Sequence, residues 1–290
     1  MIIDKLYKAV EEKGHVCLGL DTDISYIPEG FLKSFESIEE AVFNFNKEII
    51  DETFDHVACY KPQIAYYEAL GIEGLKAYSR TLKYIKEKGG ISIGDIKRGD
   101  IAKTAEMYAK AHFQGEFEAD FITLSPYMGM DTIEPFLDYI KNHEKGVFVL
   151  VRTSNKGAED IQYIESKGSR RIYNIVGEKI KSLGEEVKGN CGYSSIGAVV
   201  GCTHVDEGKE LRQSLDSTFF LIPGYGAQGG KAEDVALYLN QGNGGIVNSS
   251  RGILLAYKNK EQGEKYFAKY AKEETIRMKE EIAEAISKLS

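Results

Sequence analysis

The sequence predicts an α/β fold, a (β/α)8 barrel of eight parallel strands with an extra C-terminal helix. Three observations carry the prediction. Eight apolar runs of about five residues recur along the chain. Helical patterns separate them. The chain has 290 residues and five prolines, a size that suits a single barrel domain over residues 1–290. Short, nearly continuous apolar runs alternating with helices are the mark of parallel strands buried on both faces.

The runs are VCLGL (16–20), VACYK (57–61), ISIGD (91–95), DFITL (120–124), VFVLV (147–151), IGAVV (196–200), FFLIP (219–223) and GIVNS (245–249). The first residues, MIIDKLYKAVEEKGH, carry acids and read as an amphipathic helix rather than a signal peptide. Residues 36–52 place Ile38, Ala41, Val42, Phe45 and Ile49 at helical spacing. Residues 73–87 do the same with Leu75, Tyr78, Leu82 and Ile85, and residues 169–187 with Ile172, Ile175, Val176, Ile180 and Leu183. A further helix is expected to begin near Asp100. The charged stretch 261–289, with Ile276, Ile282, Ile286 and Leu289, is the closing helix. Residues 152–168 form the longest irregular stretch. They follow the fifth strand and so fall at the barrel mouth, in the position of a lid.

A net charge of −8 argues against a nucleic-acid binder. No run approaches the roughly 18 apolar residues of a membrane span. Cys17, Cys59, Cys191 and Cys202 show no C-x-x-C spacing and read as free thiols of a reducing cytoplasm. The five histidines form no metal-binding pattern, so no metal site is expected.

Barrel active sites form where strands end and βα loops begin, and polar residues gather there. Strand 1 runs into Asp21 and strand 2 ends at Lys61. Strand 3 leads through GDIKRGDIAKT, with Asp95, Lys97, Asp100 and Thr104. Strand 5 leads to Arg152, Ser154 and Asn155. Alternation along a strand turns Asp95 and Lys97 to one side. Singly, each residue has an ordinary use. Asp21 could cap a turn, Lys61 could lie along the rim with its head in water, and the strand 3 group could be a structural ion-pair network. Together, charges of both signs converging on one mouth call for a ligand.

The seventh strand enters PGYGAQGG, residues 223–230, which matches G-x-G-x-x-G. A dinucleotide fingerprint would open a βαβ series and find an acid after the next strand. Here that strand ends in Ser249, Ser250 and Arg251. A phosphate site built from loops 7 and 8 fits better, with Gln228 and Arg251 as donors. A plain glycine turn is the alternative.

The D-x-K-x-x-D-I-x-x-T motif (Asp95, Lys97, Asp100, Ile101, Thr104), with LGLD, the Lys61 strand, PGYGAQGG and the terminal SRG, resembles the orotidine 5′-phosphate decarboxylase family over roughly residues 16–255. YKPQIAYYE and VRTSN point to its longer branch. The resemblance implies a TIM barrel that converts orotidine 5′-phosphate to UMP, the last step of de novo pyrimidine nucleotide synthesis. It implies no cofactor and a cytoplasmic homodimer. Lys97 would donate the proton to C6, and Asp95 would face the departing carboxylate. Asp21 and Lys61 would hold ribose hydroxyls, with Lys61 also in the charged array. Ser154 would contact the pyrimidine, and Gln228 and Arg251 the phosphate. Asp100 and Thr104 would complete the neighbouring subunit's site. A Mg²⁺-dependent sugar-phosphate decarboxylase or aldolase of the same superfamily is the nearest alternative. An NADP-linked oxidoreductase and a nucleotide-binding regulator without chemistry lie further off.

Overall fold

The computed structural model describes residues 1–289 apart from 167, 227 and 228. Eight parallel strands run β1 (Val16–Leu20), β2 (Cys59–Pro62), β3 (Ile93–Arg98), β4 (Phe121–Leu124), β5 (Gly146–Arg152), β6 (Ser194–Val200), β7 (Thr218–Ile222) and β8 (Gly245–Ser249). Each lies within about two residues of a predicted run, apart from the longer end of β3. The pairing order is β2-β1-β8-β7-β6-β5-β4-β3. Parallel bridges Tyr60↔Ser92 and Gln63↔Asp95 bring the two end strands together and close a (β/α)8 barrel.

Strand periodicity sorts the side chains. Cys17, Cys59, Ile93, Phe121, Phe148, Phe219 and Ile246 pack against one another in the barrel interior. Leu18, Tyr60, Ile122 and Val149 belong to the larger core shared with the helices. Gly146 and Gly197 make room for the inner aromatics. A Cβ at Gly146 would sit 2.2 Å from the Phe121 ring, and one at Gly197 2.6 Å from Phe148.

The helices are α1 (Ile2–Lys13), α2 (Glu29–Leu32), α3 (Ile38–Thr53), α4 (Ile64–Glu68), α5 (Gly71–Glu87), α6 (Ala102–Phe113), α7 (Leu137–Asn142), α8 (Ile172–Gly184), α9 (Val205–Ser214), α10 (Ala232–Ala236), α11 (Arg251–Leu254) and α12 (Phe267–Ser287). The Ser37 hydroxyl caps α3 by accepting the Glu40 N–H at 3.2 Å, and the helix buries Ala41, Val42, Phe45 and Ile49. The predicted C-terminal helix is α12. Its Phe267 ring stacks on Phe45 of α3, centroids 4.9 Å apart. Ile2, Ile3, Leu6 and Val10 of α1 join the interior cluster. That packing stoppers one end of the barrel and leaves the carboxyl ends of the strands as the open mouth. Among the described residues, no helix is long and apolar enough to cross a membrane.

Candidate active site

Following the inward positions upward, the side chains turn from apolar to polar or charged. Cys59 leads to Lys61 on β2, Ile93 to Asp95 on β3, and Phe121 to Thr123 on β4. Asp21 follows directly on β1. The charges meet at short range. Lys61 Nζ lies 2.7 Å from Asp95 Oδ2 and 3.7 Å from Asp21 Oδ1, and Lys97 Nζ lies 2.6 Å from Asp95 Oδ1. Lys61 is 4% exposed and Asp95 6%. By contrast the Lys97 side chain is 46% exposed, open to whatever occupies the mouth.

Burial alone would raise the Asp95 carboxyl. The ammonium groups of Lys61 and Lys97 outweigh it and hold the acid well below the usual carboxylate range. For Lys61, burial favours the neutral amine, but Asp95 and then Asp21 drive its affinity for a proton above that of ordinary lysine. Both groups are therefore charged at neutral pH although each is almost fully buried. Asp21 Oδ1 is itself buried and has no hydrogen bond, with the Lys61 ammonium 3.7 Å away.

Asp95 and Lys97 share a side for a reason different from simple alternation. The β3–β4 register steps from Gly94↔Ile122 to Arg98↔Leu124, so β3 carries extra residues there. Within that bulge Lys97 has φ = 45°, a left-handed conformation that costs a lysine about 1 kcal/mol or more. Thr123 spans the gap. Its hydroxyl accepts the N–H groups of Ile96 (3.0 Å) and Lys97 (2.9 Å) and donates to Asp95 Oδ1 (2.9 Å).

A cleft of about 1220 Å³ opens above this array, lined by Asp21, Lys61, Asp95, Lys97, Ser154 and Arg251 among others. Six predicted site residues thus come together. Arg251 opens α11 and its side chain is exposed at the rim. Gln228 lies outside the described residues. Asp100 and Thr104 do not line the cleft. Helix α6 starts at Ala102, later than expected, with Asp100 two residues ahead of it. The Asp100 carboxylate accepts the Ile101 N–H at 2.8 Å, and Thr104 is exposed on the first turn. In the loop after β7, Gly224 (φ 101°) and Gly226 (φ 67°) adopt backbone that only glycine takes readily. Such backbone can turn N–H groups toward an anion.

The stretch after β5 walls one side of the cleft through Ala158, Ile161, Gln162 and Ile164. A partly buried knot fastens it. Arg152, 2% exposed, bonds Glu207 of α9 through Nε at 2.6 Å and the Tyr163 hydroxyl at 2.8 Å. Tyr163 in turn bonds Glu207, and Arg171 reaches the same carboxylate at 3.3 Å. Gln162 grips Thr153 twice, beside Ser154. Sequence reading named Arg152 but missed Glu207, Tyr163 and Gln162. It also missed Thr123, although DFITL carries a polar residue in the inward register of Phe121. Among the described residues, no three His, Cys, Asp or Glu side chains converge as a metal site would need.

A family model described as "Orotidine 5'-phosphate decarboxylase / HUMPS family" matches residues 14–266. The chain belongs to this family. Relatives called orotidine 5′-phosphate decarboxylase include one from Clostridium tetani, 66% identical over 99% of both chains. Another, from Clostridium acetobutylicum, is 65% identical over 99% of this chain and all of the relative. Among solved structures, the Leishmania donovani OMP decarboxylase superposes with a TM-score of 0.77 at 30% identity, covering 99% of this chain and 98% of that one. Of the D-x-K-x-x-D-I-x-x-T residues, Asp95 and Lys97 line the cleft, where with Lys61 they form its charged floor.

Proposed function

We propose that the protein decarboxylates orotidine 5′-phosphate to UMP with its own charged side chains and no cofactor. The observation that carries the reading is the Lys61–Asp95–Lys97 array beneath the cleft. Loss of CO2 from C6 breaks the C6–carboxyl bond and leaves the electron pair on C6, where no adjacent carbonyl can take it up. The Lys97 ammonium is held by Asp95 and open to the cleft. It stabilises that charge and then gives its proton to C6, and the resulting amine regains a proton from water. Asp95, kept ionised, repels the substrate carboxylate and is relieved as CO2 departs. Lys61 holds Asp95 in place, and with Asp21 meets the ribose hydroxyls. Ser154 contacts the pyrimidine. Arg251, with Gln228, takes the phosphate at the rim, where binding energy remote from C6 helps the closed site form.

We further assign Asp100 and Thr104 to the site of a second copy in a homodimer. Both lie outside their own cleft. Ile101 ahead of α6, Met107 on α6, and Tyr127 and Met128 on the loop after β4, 48% or more exposed, put apolar surface near Asp100 and Thr104 in the chain and on the neighbouring loop, a surface suited to self-association. Residues 1–290 are taken as one domain, supported by the packing of α12 on α3. A cytoplasmic location agrees with four free cysteines.

The test is the fall in orotidine 5′-phosphate absorbance on adding purified protein with EDTA present, beside Lys97→Ala. Turnover abolished by the substitution is expected. No turnover by the unaltered protein would overturn the reading in favour of Mg²⁺-dependent sugar-phosphate chemistry.

A further inference from the structure

We propose that Thr123 is a positioning residue for the decarboxylation, the group that sets Asp95 and Lys97 in their reacting geometry. The inference deepens the decarboxylase reading and rests on it. A hydroxyl has one proton to give and two lone pairs to receive. Thr123 uses all three: it donates to Asp95 Oδ1 and accepts from Ile96 N and Lys97 N, each at 2.9–3.0 Å. It is 1% exposed, so no water takes over those bonds.

The three bonds answer a specific difficulty. The bulge in β3 removes the regular ladder between Gly94↔Ile122 and Arg98↔Leu124, and Thr123 is the β4 residue facing that gap. Without its hydroxyl, two N–H groups of the bulge lose their acceptor, and a buried unpaired donor destabilises the backbone that carries it. Lys97 is the residue held at φ = 45°. Its unfavourable backbone persists because its N–H is tied to the same oxygen that orients Asp95. One atom thereby couples the backbone that carries the proton donor to the carboxylate that aims it. Lys61 fixes the other carboxylate oxygen at 2.7 Å, so the orientation of Asp95 is determined from both ends.

The test compares Thr123→Val, which keeps the shape and loses the hydroxyl, with Thr123→Ser, which keeps the hydroxyl. In Thr123→Val, kcat should fall on the order of 100-fold, the scale set by misplacing a reacting group by about 1 Å. KM for orotidine 5′-phosphate should stay within about threefold of the original, because Thr123 reaches no part of the proposed ribose or phosphate sites. Thr123→Ser should restore kcat to within about threefold. Amide exchange at Ile96 and Lys97 should speed at least about tenfold in Thr123→Val and remain slow in Thr123→Ser. If valine prevents folding, Thr123→Cys, a weak donor and acceptor of similar size, takes its place. Unchanged kcat in the hydroxyl-free variant would overturn the assignment, as would a serine variant as slow as the valine one. An inactive unaltered protein would instead remove the decarboxylase reading. The exchange measurement would still decide whether Thr123 holds the bulge.

Discussion

Replacing Asp95 with Asn tests whether the array is held by charge. The substitution keeps the size and leaves Lys61, 4% exposed, with Asp21 at 3.7 Å as its nearest anion. At an effective dielectric near 20, the lost 2.7 Å contact corresponds to roughly 6 kcal/mol of Coulomb attraction. Returning the carboxylate's desolvation cost offsets part of that, and breaking one side of a buried pair leaves a net loss of about 3–5 kcal/mol. Urea unfolding should show that loss, and Tm should fall by roughly 10 °C at about 2–4 °C per kcal/mol. Adding Lys61→Met should recover about half or more, because no buried ammonium then lacks its near partner. An Asp95→Asn protein as stable as the original would refute the reasoning. It would mean that Asp21 and solvent satisfy Lys61 without Asp95. Turnover should be lost in either case.

Three further outcomes are expected. Arg251→Ala should lower kcat/KM for orotidine 5′-phosphate by about 100-fold or more although it does no chemistry; near-normal steady-state kinetics would count against the phosphate role. Mixing Lys97→Ala and Asp100→Asn subunits after partial unfolding should restore roughly a quarter of the original rate, since each hybrid dimer has one intact site; no recovery on mixing would argue against shared sites. Burial, and then the Arg98 charge, pushes His112 down to about 4. The unfolded chain, with histidine near 6.5, binds more protons between those values. The contribution of His112 is therefore complete above about pH 6.5 and lost as pH falls toward 4, on the order of 3 kcal/mol. Urea midpoints at pH 7.5 and pH 5 should differ less in His112→Leu than in the original protein.

The barrel was legible because its evidence is local. An apolar run such as VFVLV names its own burial, and eight of them at helical intervals leave little choice of architecture. The residues of the cleft floor were legible because strand ends converge in a barrel whatever the loops do. What stayed hidden is relational. Nothing near Arg152 in sequence announces Glu207, fifty-five positions away. The bulge in β3 depends on a hydroxyl in another strand, so alternation gave the correct neighbours, Asp95 and Lys97, by an incomplete argument. The start of α6 moved from Asp100 to Ala102 because Ile101 has extended backbone and the Asp100 side chain caps the Ile101 N–H instead of opening the helix.

The closure of the barrel between β2 and β3 has its own implication. The other neighbouring strands share runs of register pairs, whereas this seam rests on two isolated bridges and one of the shortest ion pairs of the buried site, Lys61 to Asp95. The groups assigned to catalysis are thus also a fastening of the cylinder. Anyone retooling this scaffold for another substrate inherits that double duty. Exchanging either charge for a new chemistry loosens a stave of the barrel, so a redesign must first mend the join, with longer pairing between β2 and β3 or a substitute cross-strand contact, before new activity can be selected.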